Sequence, residues 1–192
     1  MKFMISLLLA LVTTAVMAEN PSGEYVIDTA HTKVGFEVSH LVISTVEGRF
    51  NQFDGLLTLD KNLAKSKVLA HVQIASVDTT DADRDKHLRS PDFFDADKFP
   101  QMTFVSTSFS GTPAKLKIKG KLTIKDVTKD ITFDAKLSKE ITDPWGKKRI
   151  AISGTAKIKR KDFNITFGKM IDIGPVVGDE VTISIKAETV KK

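Results

Sequence analysis

"KLKIKGKLTIKDVTKDITFDAKL", residues 115–137, alternates apolar and polar side chains almost without a break. Leu116, Ile118, Gly120, Leu122 and Ile124 share one side of its first half. Ile131, Phe133, Ala135 and Leu137 share one side of its second half. Successive side chains of a β-strand point to opposite faces, so a period of two marks a strand with one apolar and one wet face. The intervening lysines supply the wet face. "KDVTKD", residues 125–130, carries turn chemistry, so the two halves read as neighbouring antiparallel strands.

The same period recurs along most of the chain. Val34, Phe36 and Val38 share a face in "HTKVGFEVSH", and His40 falls on that face. "RFNQFDGLLTLD" offers Phe50, Phe53, Leu57 and Leu59, with one slip of phase that predicts a bulge or bend. Val68, Ala70, Val72, Ile74 and Ser76 align in the next run, then Met102 and Phe104. Ile150, Ile152, Gly154, Ala156 and Ile158 form another face, and Val181, Ile183, Ile185 and Ala187 the last. About eight short strands joined by turns, with no alternation of strand and helix, predict an all-β antiparallel sandwich or barrel. Glycines on the inner parity (Gly55, Gly120, Gly154) mark bends needed for closure or close approach of a ligand. Eight strands closed on themselves enclose either packed side chains or room for one small ligand. Composition leaves that choice open.

One segment breaks the period. "TTDADRDKHLRSPDFF", residues 79–94, reads as one short helix inserted between strands near 80–90. Thr80 is the expected N-cap, with Asp81 and Asp83 in the first turn, where negative charge suits the helix dipole. Asp85 and Arg89 stand four apart, and Ser90-Pro91 ends the helix. Leu88 is its one strong apolar anchor, and Phe93, Phe94 and Phe99 follow. At a barrel mouth such a segment is a lid or a plug, and both readings stand.

The first residues, "MKFMISLLLALVTTAVMAEN", have the charged start, short apolar run and small residues of a secretory signal peptide, expected to be cleaved after Ala18. Residues 19–192 are then a single domain. No segment approaches the ~20 apolar residues of a stable membrane span. The sequence has no cysteine, which removes thiolate zinc sites and thiol catalysis. An exported chain without disulfides points to a bacterial periplasm. The formal net charge is +5, but the lysines are spread over wet strand faces rather than clustered with aromatic platforms, so no nucleic-acid partner is expected.

Conventional chemistry is sparse. His31, His40, His71 and His87 include no pair four apart and no HExxH, so no metal site is expected. There is no GxSxG, Walker motif or GxGxxG, so no catalytic residue is nominated, no cofactor is expected, and the chain is not read as an enzyme. The polar residues of interest are His40, Arg84 and His87. Each could meet a ligand's polar end, and His40 equally reads as a hydrogen-bonded core histidine.

Several stretches together carry a resemblance across the whole mature chain: "YVIDTAHTKVGFEVSHL" (25–41), "SVDT" (76–79), "RDKHLRSPDFFDADKFPQMTFVSTS" (84–108), "GKLTIKDVTKDITF" (120–133), "DPWGKKRIAISGTAKIKRKDFNI" (143–165) and "VVGDEVTISI" (176–185). The chain resembles the YceI family. The resemblance implies an eight-stranded antiparallel up-and-down barrel, extended and lipocalin-like. It also implies a long apolar pore for a polyisoprenoid such as an isoprenoid quinone or prenyl pyrophosphate, held or carried in the periplasm. Phe36, Val38, Phe53, Leu57, Val72, Ile74 and Met102 are then expected to line the pore. Phe104, Leu122, Ile124, Phe133, Ile152, Phe163 and Ile183 complete the expected wall. Leu88, Phe93, Phe94 and Trp145 would close or line a mouth. Two other readings stand beside it: an enzyme acting on isoprenoid lipids, and a stress-response interaction protein whose barrel is packed solid. A homodimer is compatible with each.

Overall fold

The computed structural model describes residues 20–192. The expected signal peptide, residues 1–18, and its cleavage after Ala18 lie outside the described residues. Strand β1 (Gly23–His40) turns back through Leu41–Ile43 into β2 (Ser44–Phe50) and β3 (Phe53–Leu59). These two are halves of one bent strand: β2 pairs with the second half of β1 and β3 with the first. The break at Asn51–Gln52 is the phase slip expected there. β4 (Lys67–Gln73) and β5 (Val77–Asp78) are likewise one strand interrupted by a 3-10 turn at Ile74–Ser76. Helix α1 (Ala82–Arg89) follows. Then come β6 (Gln101–Thr112), β7 (Lys115–Ile124) and β8 (Val127–Leu137), the alternating pair of the opening stretch being β7 and β8. β9 (Ile141–Thr142) pairs with the start of β10 (Lys148–Lys159). A small hairpin of β11 (Met170–Ile171) and β12 (Gly174–Pro175) precedes β13 (Val177–Lys191).

β13 pairs with β10 on one side and with β1 on the other, which closes the sheet. Counting each broken strand once, eight antiparallel strands follow one another around the barrel in chain order. Closure removes the free sheet edges that invite aggregation. Two inner glycines seat aromatic rings: a Cβ on Gly120 would lie 2.4 Å from the Phe104 ring, and one on Gly48 would lie 2.2 Å from the Phe36 ring. The rings lie against the wall because it has no side chain there.

The apolar core is split. At one end Tyr25, Leu57, Leu59, Leu116 and Ile150 are buried together. Here Arg149 from β10 donates to Asp143 (2.7 Å), Asp28 (2.7 Å) and Glu188 (2.6 Å), tying β1, β10 and β13. At the other end Phe50, Ile74, Val77, Phe163 and Ile165 pack beneath α1. Between these plugs the barrel is hollow, which overturns the reading of a solid interior.

α1 occupies the predicted span but starts one residue differently. Asp81 is the N-cap, its carboxylate accepting from Arg84 N, while Thr80 sits at φ 62°. A left-handed residue cannot offer the extended N-cap geometry, so the cap falls on the next acceptor. Asp85 turns inward and accepts from Thr79 N (2.8 Å) and Thr79 Oγ1 (2.6 Å). Arg84 donates to the same threonine through Nε and Nη2, both at 2.8 Å. The helix is thus pinned to the barrel through buried Thr79. Among the described residues no helix is long and apolar enough to cross a membrane.

Candidate functional site

The cavity has a volume of about 430 Å³. On β13 its lining runs from Val177 to Thr189. At ~3.3 Å per residue and a strand tilt of ~40°, that is roughly 30 Å along the barrel axis. A volume of this size spread over this length is a slot that suits a linear chain better than a compact ligand. Its deep end is formed by Ile118, Ala135, Ala187 and Thr189, and its outer end by His40, Arg84, His87, Arg160 and Phe167.

Most of the wall was expected. Phe36, Val38, Phe53, Leu57, Val72 and Met102 line the cavity, as do Phe104, Leu122, Ile124, Phe133, Ile152 and Ile183. At the mouth, Leu88, Phe93 and Phe94 line it together with His40, Arg84 and His87. Alternation puts these side chains inward and closure makes them converge.

Three expected residues do not line it. Ile74 starts the 3-10 turn that interrupts the β4–β5 strand, and it is buried in the plug at 1 % exposure. Phe163 sits in the 3-10 turn Arg160–Phe163, also at 1 %. Trp145 lies at the far end of the barrel from the mouth and is 81 % exposed. Its turn is folded around Asp143, whose carboxylate accepts from Trp145 N and Lys147 N, and the indole is left outside.

The mouth is built from irregular backbone that alternation does not reveal. After β10, the segment 164–176 crosses the barrel end, and Ile165, Phe167 and Val176 face the cavity. Arg160 holds it in place. This side chain is 5 % exposed and donates through Nε to Gly178 O (2.8 Å), through Nη1 to Ile165 O (2.8 Å) and Phe167 O (2.5 Å), and through Nη2 to Val177 O (3.2 Å). Burial lowers its pKa, with Asp179 acting in the opposite direction. Across the mouth, the His87 ring meets Phe93 and Phe167 edge-on, with centroids at 5.0 and 4.8 Å, and His87 Nε2 lies 3.0 Å from Asp92. These rings join α1 to the crossing segment.

Arg84 stands at the mouth, but its guanidinium is engaged with Thr79. It fastens the helix, and what it leaves to a ligand is positive potential at the rim. The one clustered set of metal-type ligands among the described residues is Asp28, His31 and Glu188, outside the cavity's polar rim. There Arg149 Nη1 donates to both carboxylates and already supplies a cation.

Comparison with known proteins agrees with this geometry. Residues 25–189 match the YceI-like domain. Protein YceI of Salmonella newport (strain SL254) is 45 % identical over 174 residues, covering 89 % of this chain and 88 % of that one. The crystal structure of the Campylobacter jejuni YCEI protein superposes with a TM-score of 0.70 at 37 % identity, over 86 % of this chain and 96 % of that one. A polyisoprenoid binding domain from Saccharophagus degradans, implicated in plant cell wall breakdown, shares the fold with a TM-score of 0.62 at 13 % identity, over 90 % of this chain and the whole of that one.

Proposed function

The chain belongs to the YceI family, and from that premise we propose that it binds a long-chain apolar lipid inside the barrel and carries or stores it in the periplasm. The ligand class is a polyisoprenoid such as an isoprenoid quinone or a prenyl pyrophosphate. The observation that carries this reading is the long slot within the barrel, walled mainly by aliphatic and aromatic side chains. Such a wall selects by burial, at about 0.8 kcal/mol per methylene removed from water. It grips an apolar chain strongly and discriminates weakly between chains of similar length. His40, Arg84, His87 and Arg160 stand where a head group would emerge. The closed far end sets the direction, with tail inward and head at the mouth.

Native mass spectrometry of protein purified from cells tests this. The expected result is a co-purified lipid of long-chain mass, released on denaturation. Ile183→Trp, which fills the middle of the slot, is expected to leave the barrel folded and reduce the bound lipid at least tenfold, since the lost contacts exceed ~1.4 kcal/mol. A lipid-free wild type that takes up no added prenyl lipid overturns the proposal.

A further inference from the structure

Two loops at the rim of the mouth break a local rule in the same way. The β1–β2 turn is closed by Ile43 N–H donating to His40 C=O at 3.2 Å, and its central residues Leu41 and Val42 have φ of 52° and 65°. Positive φ at both central positions is the type I′ arrangement, which strongly prefers Asn-Gly. A β-branched residue there is a strained outlier. The chain nevertheless places Leu41-Val42-Ile43 at this tip and leaves Val42 53 % and Ile43 78 % exposed.

The β11–β12 hairpin stands beside it. A Cβ on Gly174, whose φ is +136°, would touch Val42 Cγ2 at 2.9 Å. Leu41 N–H donates to Val176 O, and Val176 N–H to Lys169 O, both at 2.9 Å. This hairpin exposes Met170 (74 %), Ile171 (41 %) and Ile173 (62 %). Five large apolar side chains therefore project from two adjoining tips. The same loops continue inward as His40, Val176 and Val177 of the cavity wall.

We propose that these two tips form a docking rim that inserts into the interfacial region of a phospholipid bilayer and presents the mouth of the slot to it. The inference rests on the lipid-binding reading of that slot. Two observations favour a bilayer over a second copy of the chain. Five apolar side chains fall well short of the roughly 20–30 residues a side of a stable protein interface, whereas a shallow insertion needs only the tips. The formal net charge, +5 for the full sequence and +4 without Lys2 of the expected signal peptide, also draws the protein toward an anionic lipid surface. A rim continuous with the slot gives an apolar chain a path between bilayer and barrel that does not cross water.

Flotation with vesicles of phosphatidylethanolamine and phosphatidylglycerol tests the rim. Wild type is expected to float with the vesicles, and the double variant Ile43→Ser/Ile173→Ser to lose about tenfold in bound fraction. Both positions are exposed, and an unchanged melting temperature will show the fold intact. In a Trp145→Phe background, Ile43→Trp is expected to be quenched by brominated lipid. The serine pair should still take up prenyl lipid delivered from ethanol, so failure of the rim is read separately from failure of the pocket. The proposal is overturned if wild type does not float, if the serine pair floats equally well, or if wild type sediments as a dimer that the serine pair dissociates.

Discussion

Arg160 takes a full positive charge to 5 % exposure. The partners that meet it there are four carbonyls from the segment crossing the mouth and the start of β13. A guanidinium can do this because its donors fan out in a plane and reach several acceptors at once. The irregular backbone needs it, since buried carbonyls outside a sheet ladder must find other donors. Removing Arg160 therefore costs on both sides: four charge-assisted bonds vanish and four carbonyls are left to solvate. Arg160→Met is expected to cost about 2–4 kcal/mol, a fall of roughly 5–15 °C in melting temperature for a chain of this size. Arg160→Lys should rescue little, because one ammonium cannot span the same acceptors. Hydrogen exchange should localise the loosening to residues 164–178. A melting temperature within about 2 °C of wild type for Arg160→Met would show that the crossing segment holds itself.

At the scale of elements, the type I′ turn at 41–42 gives the clearest quantitative expectation. Two non-glycine residues at positive φ cost on the order of 1–3 kcal/mol. Replacing Leu41-Val42 by Asn-Gly supplies the residues that this geometry prefers. Urea denaturation is expected to show a rise of about 1–2 kcal/mol, with vesicle binding weakened because an apolar tip is gone. A variant destabilised by the swap would mean that Leu41 and Val42 pack more than they strain. The contrast also explains what the sequence disclosed. Strands were legible because a period of two is local information: Leu116 to Ile124 declare their face whatever lies opposite. The helix was legible from charge and breakers, but its cap was not, because Thr80 and Asp81 are equally good acceptors until the backbone sets Thr80 at φ 62°. Ile74 and Phe163 keep the right parity and chemistry, yet 3-10 turns rotate both into the plug. Residues 164–176 have no period at all. Their place over the mouth is held by Arg160 together with the Leu41–Val176 backbone bond, contacts that no spacing rule announces.

The molecule as a whole is polarised. One end is closed by tightly buried side chains and clamped by charge; the other is held by a crossing segment, a short helix and two apolar tips. The clamp has a pH signature. Hydrogen bonds from Arg149 and His31 hold the Asp28 carboxyl down at about 2. Hydrogen bonds from Lys148 and Tyr25 hold Glu140 down at about 2, and Arg149 lowers Asp143. Burial, with Glu140 beside it, raises the Tyr25 phenol in turn. A carboxylate whose folded pKa lies below its unfolded value stabilises the fold above the unfolded value, and that contribution is lost as pH falls through the folded one. From the ordinary values of 3.8 for Asp28 and 4.5 for Glu140, the window runs from about pH 4.5 down to about pH 2. Thermal melts should accordingly be flat between about pH 5 and 8 and fall steeply across that window. Arg149→Met is expected to melt lower at neutral pH, because three carboxylates lose their shared cation, and to show a shallower acid slope. The slope should not vanish, since Glu140 keeps Lys148 at 2.8 Å and Lys191 at 3.3 Å. Lipid capacity at pH 7, measured on folded Arg149→Met, should match wild type, because the clamp lies at the end of the barrel away from the mouth. A variant that stays folded but loses its lipid would mean that the closed end shapes the slot as well as sealing it.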